Sequence, residues 1–100
     1  MVFIEEAQFF NNLYEFVNKH LINKSFVIAG LDGDFKRNPF GDILKLIPLA
    51  DKVKKLNALC KFCKDGTEAP FTKRLIVSDE IKLVGGSDSY ASVCRKHYLE

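Results

Sequence analysis

No apolar run in the 100-residue sequence approaches the ~18 residues that span a bilayer, and no basic stretch followed by an apolar segment opens the chain. A soluble, cytoplasmic protein without a membrane partner is therefore expected. Charge of one sign is lacking too: 15 basic residues against 13 acidic leave a net charge of +2, spread too evenly to make a polyanion surface, so no nucleic-acid partner is expected. Cysteine is scarce and odd in number, at three, which speaks against a disulfide framework and fits a reducing compartment. Internal repeats and low-complexity segments are absent. What remains, 47% hydrophobic with nine Phe, is ample for a core and too apolar for a disordered tail, in a chain long enough for one small domain or two subdomains.

The few cysteines are placed with strong constraint. Cys60 and Cys63 form a CxxC knuckle and Cys94 and His97 a CxxH knuckle, separated by the thirty residues 64–93. A two-residue gap lets one tight turn aim two side chains at a common point, and two such turns supply the four ligands of tetrahedral zinc. Four protein ligands leave no open position, so the predicted site is structural and its metal affinity becomes folding free energy. His20, the only other histidine, lies in a helical pattern with no cysteine nearby.

Along the chain, Val2 to Ile4 reads as a short buried strand ended by Glu5 and Glu6. Leu13, Phe16, Val17 and Leu21 recur at helical spacing from about Asn12 to Ile22, with Asn11 or Asn12 as N-cap. Ser25 to Leu31 (SFVIAGL) is a continuous apolar run, the pattern of a parallel strand covered on both faces. Strand, helix, strand makes a βαβ unit, in which ligands gather at the strands' carboxyl ends. Acids stand at both ends here: Glu5 and Glu6, then Asp32 and Asp34. The loop from Asp32 to Gly41 carries Phe35 and Phe40 as a candidate exposed apolar pocket wall. Ile43 to Ala50 predicts a short helix interrupted near Pro48, and Val53 to Leu59 an extended lead into the first knuckle. Ala69 to Val77 and Glu80 to Val84 predict the arms of a β-hairpin around Ser78 and Asp79, with Gly85 and Gly86 allowing a sharp turn. Lys73 and Arg74 read as solvated strand residues rather than a phosphate clamp.

The run IEEAQFF from Ile4 to Phe10 resembles the strand-end motif I-D-E-x-Q-F-F of type II thymidine kinases. The resemblance continues through AGLDGDFKRNPFG at 29–41, LIPLAD at 46–51, FTKRL at 71–75, VGGSDSY at 84–90 and VCRKHY at 93–98, covering essentially the whole chain. It implies an α/β fold: a partial P-loop NTPase-like parallel sheet over residues 1–56, then a small zinc-stabilised hairpin or lasso subdomain over 57–100.

By the same resemblance, Glu6 matches the catalytic base that accepts the proton of the nucleoside 5′-hydroxyl. Glu5 stands where the family usually has an aspartate of the magnesium and phosphate environment. Leu31, Phe35 and Phe40 match the thymine-pocket wall, and Thr72, Ile81, Leu83, Gly85 and Tyr90 the lasso that closes over the base. Cys60, Cys63, Cys94 and His97 match the zinc ligands. The implied activity is ATP-dependent phosphorylation of thymidine, with structural zinc, with magnesium and ATP in the complete enzyme, and with a homotetramer as the family's assembly.

One family element is missing. No GxxxxGK[ST] occurs in the sequence, and the chain looks like the C-terminal part of such a kinase, so little or no activity is expected of it alone. An exposed sheet edge prone to aggregation is a further expectation. The competing reading is a non-catalytic, zinc-stabilised interaction module derived from a kinase. A zinc finger binding nucleic acid through Lys54, Lys55, Lys61 and Lys64 is disfavoured by the near-neutral charge.

Overall fold

The computed structural model describes residues 1–75 and 89–100, which fall into two compact units. The first comprises Met1–Gly33 and Asn38–Val53, the second Asp34–Arg37 and Lys54–Glu100. Of the residues expected to form the hairpin's second arm and turn, those at 76–88 lie outside the described residues.

In the first unit, strand β1 (Val2–Ile4) pairs in parallel with β2 (Phe26–Ile28), Val2 opposite Phe26 and Ile4 opposite Ile28, and helix α1 (Leu13–His20) lies between them in sequence. The expected strand, helix, strand order is present. Leu13 and Val17, one helical turn apart, are buried, and with Ala7 and Leu46 they form the core. Ile4, Phe16, Phe26 and Ile28 pack around it. A 3-10 helix over Ile43–Leu49 closes the other side. Its three-residue period puts Ile43, Leu46 and Leu49 on one inward stripe and leaves Leu44 and Ile47 exposed. Pro48 sits within this helix instead of interrupting it.

One expectation about β2 is corrected. The partners Phe3 and Val27 are 60% and 43% exposed, so the sheet is covered on one face only among the described residues of this unit. A continuous apolar run cannot report this, because it looks the same whether one face or both find a partner.

The start of α1 also departs from expectation. Asn12 holds the N-cap position in a left-handed conformation (φ 57°), and its side chain caps nothing. The Tyr14 amide donates instead to Asp42 Oδ2, 3.1 Å away and 28 residues later in sequence. A carboxylate at a helix N-terminus satisfies an orphan donor and complements the dipole. Lys45 pairs with the same carboxylate at 3.4 Å but is 68% exposed, so it adds little.

Among its described residues the second unit holds two small antiparallel sheets. Strand β3 (Ala58–Leu59) pairs with β4 (Glu68–Ala69) across the first knuckle, and β5 (Phe71–Arg74) pairs with β6 (Tyr90–Val93), which leads into Cys94 and helix α2 (Arg95–Leu99). The predicted first hairpin arm is thus divided. Glu68 and Ala69 turn back to β3, Pro70 separates them from β5, and Phe71–Arg74 take Tyr90–Val93 as partner. The core is Cys60, Ala69, Ala91 and Val93, with Phe71, Cys63, Cys94 and Tyr98 against it.

Removing the remote cap should be measurable. Asp42→Ala is expected to lower stability by about 1 kcal/mol, read as a lower urea midpoint with unchanged slope. The Tyr14 amide, assisted by Lys45 against partial burial, holds the Asp42 carboxyl below its ordinary 3.8. A depressed folded-state pKa means that this contribution is present above pH ~3.8 and is lost as pH falls through the folded value. The parent and the variant should therefore converge in acid.

Candidate functional site

The carboxyl ends of β1 and β2 are joined by one buried amide. Glu6 follows β1 with φ 50° and ψ 41°, a left-handed conformation unusual for a residue with a side chain. Ala7 returns to the sheet by donating its amide to Ala29 O at 3.0 Å. Gln8, only 3% exposed, then donates Nε2 to Glu6 Oε2 at 2.7 Å and accepts the Leu31 amide on Oε1 at 3.0 Å. The two partners fix the amide's orientation chemically, since the carboxylate needs a donor and the backbone N–H needs an acceptor.

Two glycines make room for Gln8. A Cβ on Gly30 would lie 2.7 Å from Gln8 Oε1, 2.9 Å from Ile43 Cδ1 and 3.1 Å from the Ala7 nitrogen. Gly41, at φ 59°, would place one 2.5 Å from Gln8 O. Sequence reasoning did not single out Gln8 as a site residue, because nothing in hydrophobic periodicity marks a glutamine that ties two strand ends together.

Leu31 is 47% exposed beyond its amide bond to Gln8. Phe40, expected as an exposed aromatic, is buried at 8% and meets Phe9 edge-on with centroids 5.3 Å apart. Its amide donates to Asp32 O at 2.9 Å, while Gly33 bridges Pro39. These contacts pin the base of the loop, which is why Phe40 is drawn inward.

In the second unit, the four predicted ligands converge. Their Sγ and ring nitrogen atoms all lie within 4.8 Å of one another. His97 Nδ1 is 3.3 Å from Cys63 Sγ, 3.3 Å from Cys94 Sγ and 3.6 Å from Cys60 Sγ, and Cys63 and Cys94 are 3.7 Å apart. Zinc bonds of ~2.3 Å to sulfur and ~2.0 Å to nitrogen at tetrahedral angles require roughly 3.8 Å between sulfurs and roughly 3.5 Å between sulfur and nitrogen. The donor set and its spacing fit a tetrahedral zinc ion.

Local structure explains the convergence. Lys64 (φ 58°) and Gly66 (φ 89°) turn the first knuckle back, and the Cys60 amide closes the turn on Thr67 O at 2.8 Å. Cys94 occupies the N-cap of α2, so His97 lies one helical turn further on the same face. Phe62 packs against the His97 ring, with centroids 5.7 Å apart.

The thiols do not share charge evenly. Burial works to raise Cys60, but amides from Cys94, Cys63 and Phe62 outweigh it and hold the thiol down at about 6. Burial, reinforced by the neighbouring thiols, pushes Cys63 up to about 11. His97 is raised, chiefly by Cys94 and against burial.

Lys73 and Arg74 are not solvated strand residues. Lys73 Nζ donates to His97 O at 2.9 Å, restraining the helix that carries a ligand. The Arg74 guanidinium lies 3.8 Å from the Phe35 ring centroid and donates Nη2 to Tyr90 Oη at 2.9 Å. Thr72 pairs with Ser92 in the β5–β6 ladder. Ile81, Leu83 and Gly85 lie outside the described residues, and no helix among the described residues is long and apolar enough to cross a membrane.

The first unit thus sets a strand-end carboxylate beside a short parallel sheet, and the second gathers a Cys3His cluster, in a small α/β protein. The thymidine kinase family model matches residues 1–98, and the chain belongs to that family. Among its relatives, a rice thymidine kinase is 50% identical over 99 residues, covering 97% of this chain and 36% of that protein. A myxoma virus thymidine kinase is 48% identical over 97 residues, covering 96% and 53%. The chicken protein named "thymidine kinase, cytosolic" is 47% identical over 98 residues, covering 97% and 43%. The chain thus spans between about a third and about half of the length of these relatives.

Two outcomes test the geometry. Zinc should load at one ion per chain, and doing so near pH 8 should release protons, because Cys63 at about 11 is still a thiol there. Calorimetry in buffers of different ionisation enthalpy reads that release; affinity should fall steeply as pH drops through about 6, where Cys60 also protonates. His97→Ala should lose the ion, and His97→Cys should keep it. Gly30→Ala should displace the Gln8 amide, cost about 1–3 kcal/mol by overpacking, and remove hydrogen-exchange protection from the Leu31 amide.

Proposed function

We propose that this chain carries the nucleoside-binding, proton-accepting and zinc-clasped part of a thymidine kinase, which transfers the γ-phosphate of ATP to the 5′-hydroxyl of thymidine. The observation that carries the reading is the family match along residues 1–98.

In this reading the 5′-oxygen bonds to the γ-phosphorus as the bond to the β-phosphate oxygen breaks. Glu6 takes the hydroxyl proton and ADP departs. Support comes from the way Glu6 is held: a left-handed backbone at a strand end, with one carboxylate oxygen fixed by Gln8. Such outliers recur where geometry matters for function.

Leu31 and Phe40 of the first unit, and Phe35, Thr72 and Tyr90 of the second, are assigned to the base, with Ile81, Leu83 and Gly85 completing the set. Zinc is structural, held by Cys60, Cys63, Cys94 and His97. Magnesium and ATP belong to the complete enzyme. The β1–α1–β2 unit is assigned to a P-loop NTPase-like sheet, and the assembly to a homotetramer. A cytoplasmic location follows the naming of the chicken relative.

These hundred residues contain no GxxxxGK[ST], so the amides and lysine that cradle phosphates have to come from outside them. The zinc-loaded hundred residues, incubated alone with ATP and thymidine, should yield no thymidine monophosphate. Joined to the P-loop-bearing segment of a relative, they should yield it, and Glu6→Gln should then lower kcat by about two to four orders of magnitude. Turnover by the hundred residues alone, or a Glu6→Gln variant with parental kcat, would contradict the assignment.

A further inference from the structure

We propose that Arg74 is a positioning residue that sets the two rings assigned to the thymine base, Phe35 and Tyr90; the inference rests on that assignment. The β5–β6 register places Arg74 directly opposite Tyr90. From there the guanidinium carbon stacks 3.8 Å from the Phe35 centroid and lies 5.3 Å from the Tyr90 centroid, while Nη2 donates to Tyr90 Oη at 2.9 Å. One planar cation thus orients one ring by its face and the other by its hydroxyl.

An apolar residue at position 74 could fill the same volume. It could not set the rotation of the Tyr90 oxygen, and a lysine could not stack a planar face on Phe35 while donating to Tyr90 in fixed geometry.

The segment carrying Phe35 is secured in the same unit by three further contacts. Tyr98 Oη donates to Phe35 O, the Arg37 guanidinium lies 4.7 Å over the Tyr98 ring, and Asp34, 9% exposed, accepts the Lys36 amide at 2.8 Å. Tyr98 follows the ligand His97, and β6 runs directly into the ligand Cys94. Arg74 therefore links the zinc-folded sheet to Phe35 and affects base affinity without touching the phosphates.

The test uses the zinc-loaded chain and its Arg74→Met and Arg74→Lys variants. Aromatic NMR without ligand reads the Phe35 and Tyr90 rings, titration with thymidine and with deoxycytidine reads the base site, and metal analysis confirms loading. All three proteins are expected to hold zinc. Arg74→Met should shift both rings, weaken thymidine about three- to thirtyfold, and narrow its preference over deoxycytidine; Arg74→Lys should recover part of the affinity.

Unchanged ring signals and parental thymidine affinity in Arg74→Met overturn the proposal. If the parent chain shows no thymidine binding, the base-site assignment fails, and the ring signals decide the rest: displaced rings retain Arg74 as their positioning residue, and unmoved rings remove it. Should Arg74→Met lose zinc, Arg74→Lys is judged by the same criteria.

Discussion

Three thiols and an imidazole meet within 4.8 Å, a donor set whose spacing fits a tetrahedral zinc ion. Amides from Cys94, Cys63 and Phe62 outweigh burial and hold Cys60 down at about 6, while burial, reinforced by the neighbouring thiols, pushes Cys63 up to about 11. The second unit is built on this point. Strand β3 delivers Cys60, β6 delivers Cys94, α2 carries His97, and among the described residues the buried apolar side chains in this cluster are Ala69, Ala91 and Val93. With Phe71 and Tyr98 partly buried against it, this small core is one that a bound metal ion would reinforce.

Local spacing and long-range pairing were not equally legible in the sequence. The four ligands could be read because each knuckle is a two-residue turn, and α1 could be read because its apolar positions repeat every three to four residues. The acids at the strand ends were visible as a change from apolar to charged residues. By contrast, the covering of β2 on one face, the division of the predicted hairpin arm at Pro70, and the capping of α1 by Asp42 depend on partners distant in sequence. Composition and periodicity carry no information about which distant residue arrives. Phe40 shows the same limit: an aromatic in a polar loop looks exposed until the loop's own bridge draws it in.

Two polar residues that the sequence did not mark as positioning residues share a physical character. Gln8 and Arg74 are polar side chains in places where volume could have been filled by carbon. Each makes two directional contacts: Gln8 to the Glu6 carboxylate and the Leu31 amide, Arg74 to the Phe35 face and the Tyr90 hydroxyl. A hydrophobic contact is nearly indifferent to rotation, whereas a hydrogen bond fixes an angle, and burial raises the cost of leaving it unmade. The glycines at 30 and 41 fit that logic, since both are shaped by the need to approach Gln8 closely. They mark in the sequence a residue that periodicity does not.

Under the proposed function orientation would matter, because phosphoryl transfer depends almost wholly on placement and charge and asks little covalent chemistry of the protein. A base whose carboxylate is free to rotate spends part of its time misdirected, and a 1 Å error in such a site costs about a hundredfold in rate. Glu6 is constrained twice, by a left-handed backbone and by the Gln8 amide. Neither constraint is needed to keep a surface acid in solvent. The left-handed turn at Glu6 also lets Ala7 return to the sheet on Ala29, so one local geometry both ends the strand and sets the carboxylate against Gln8.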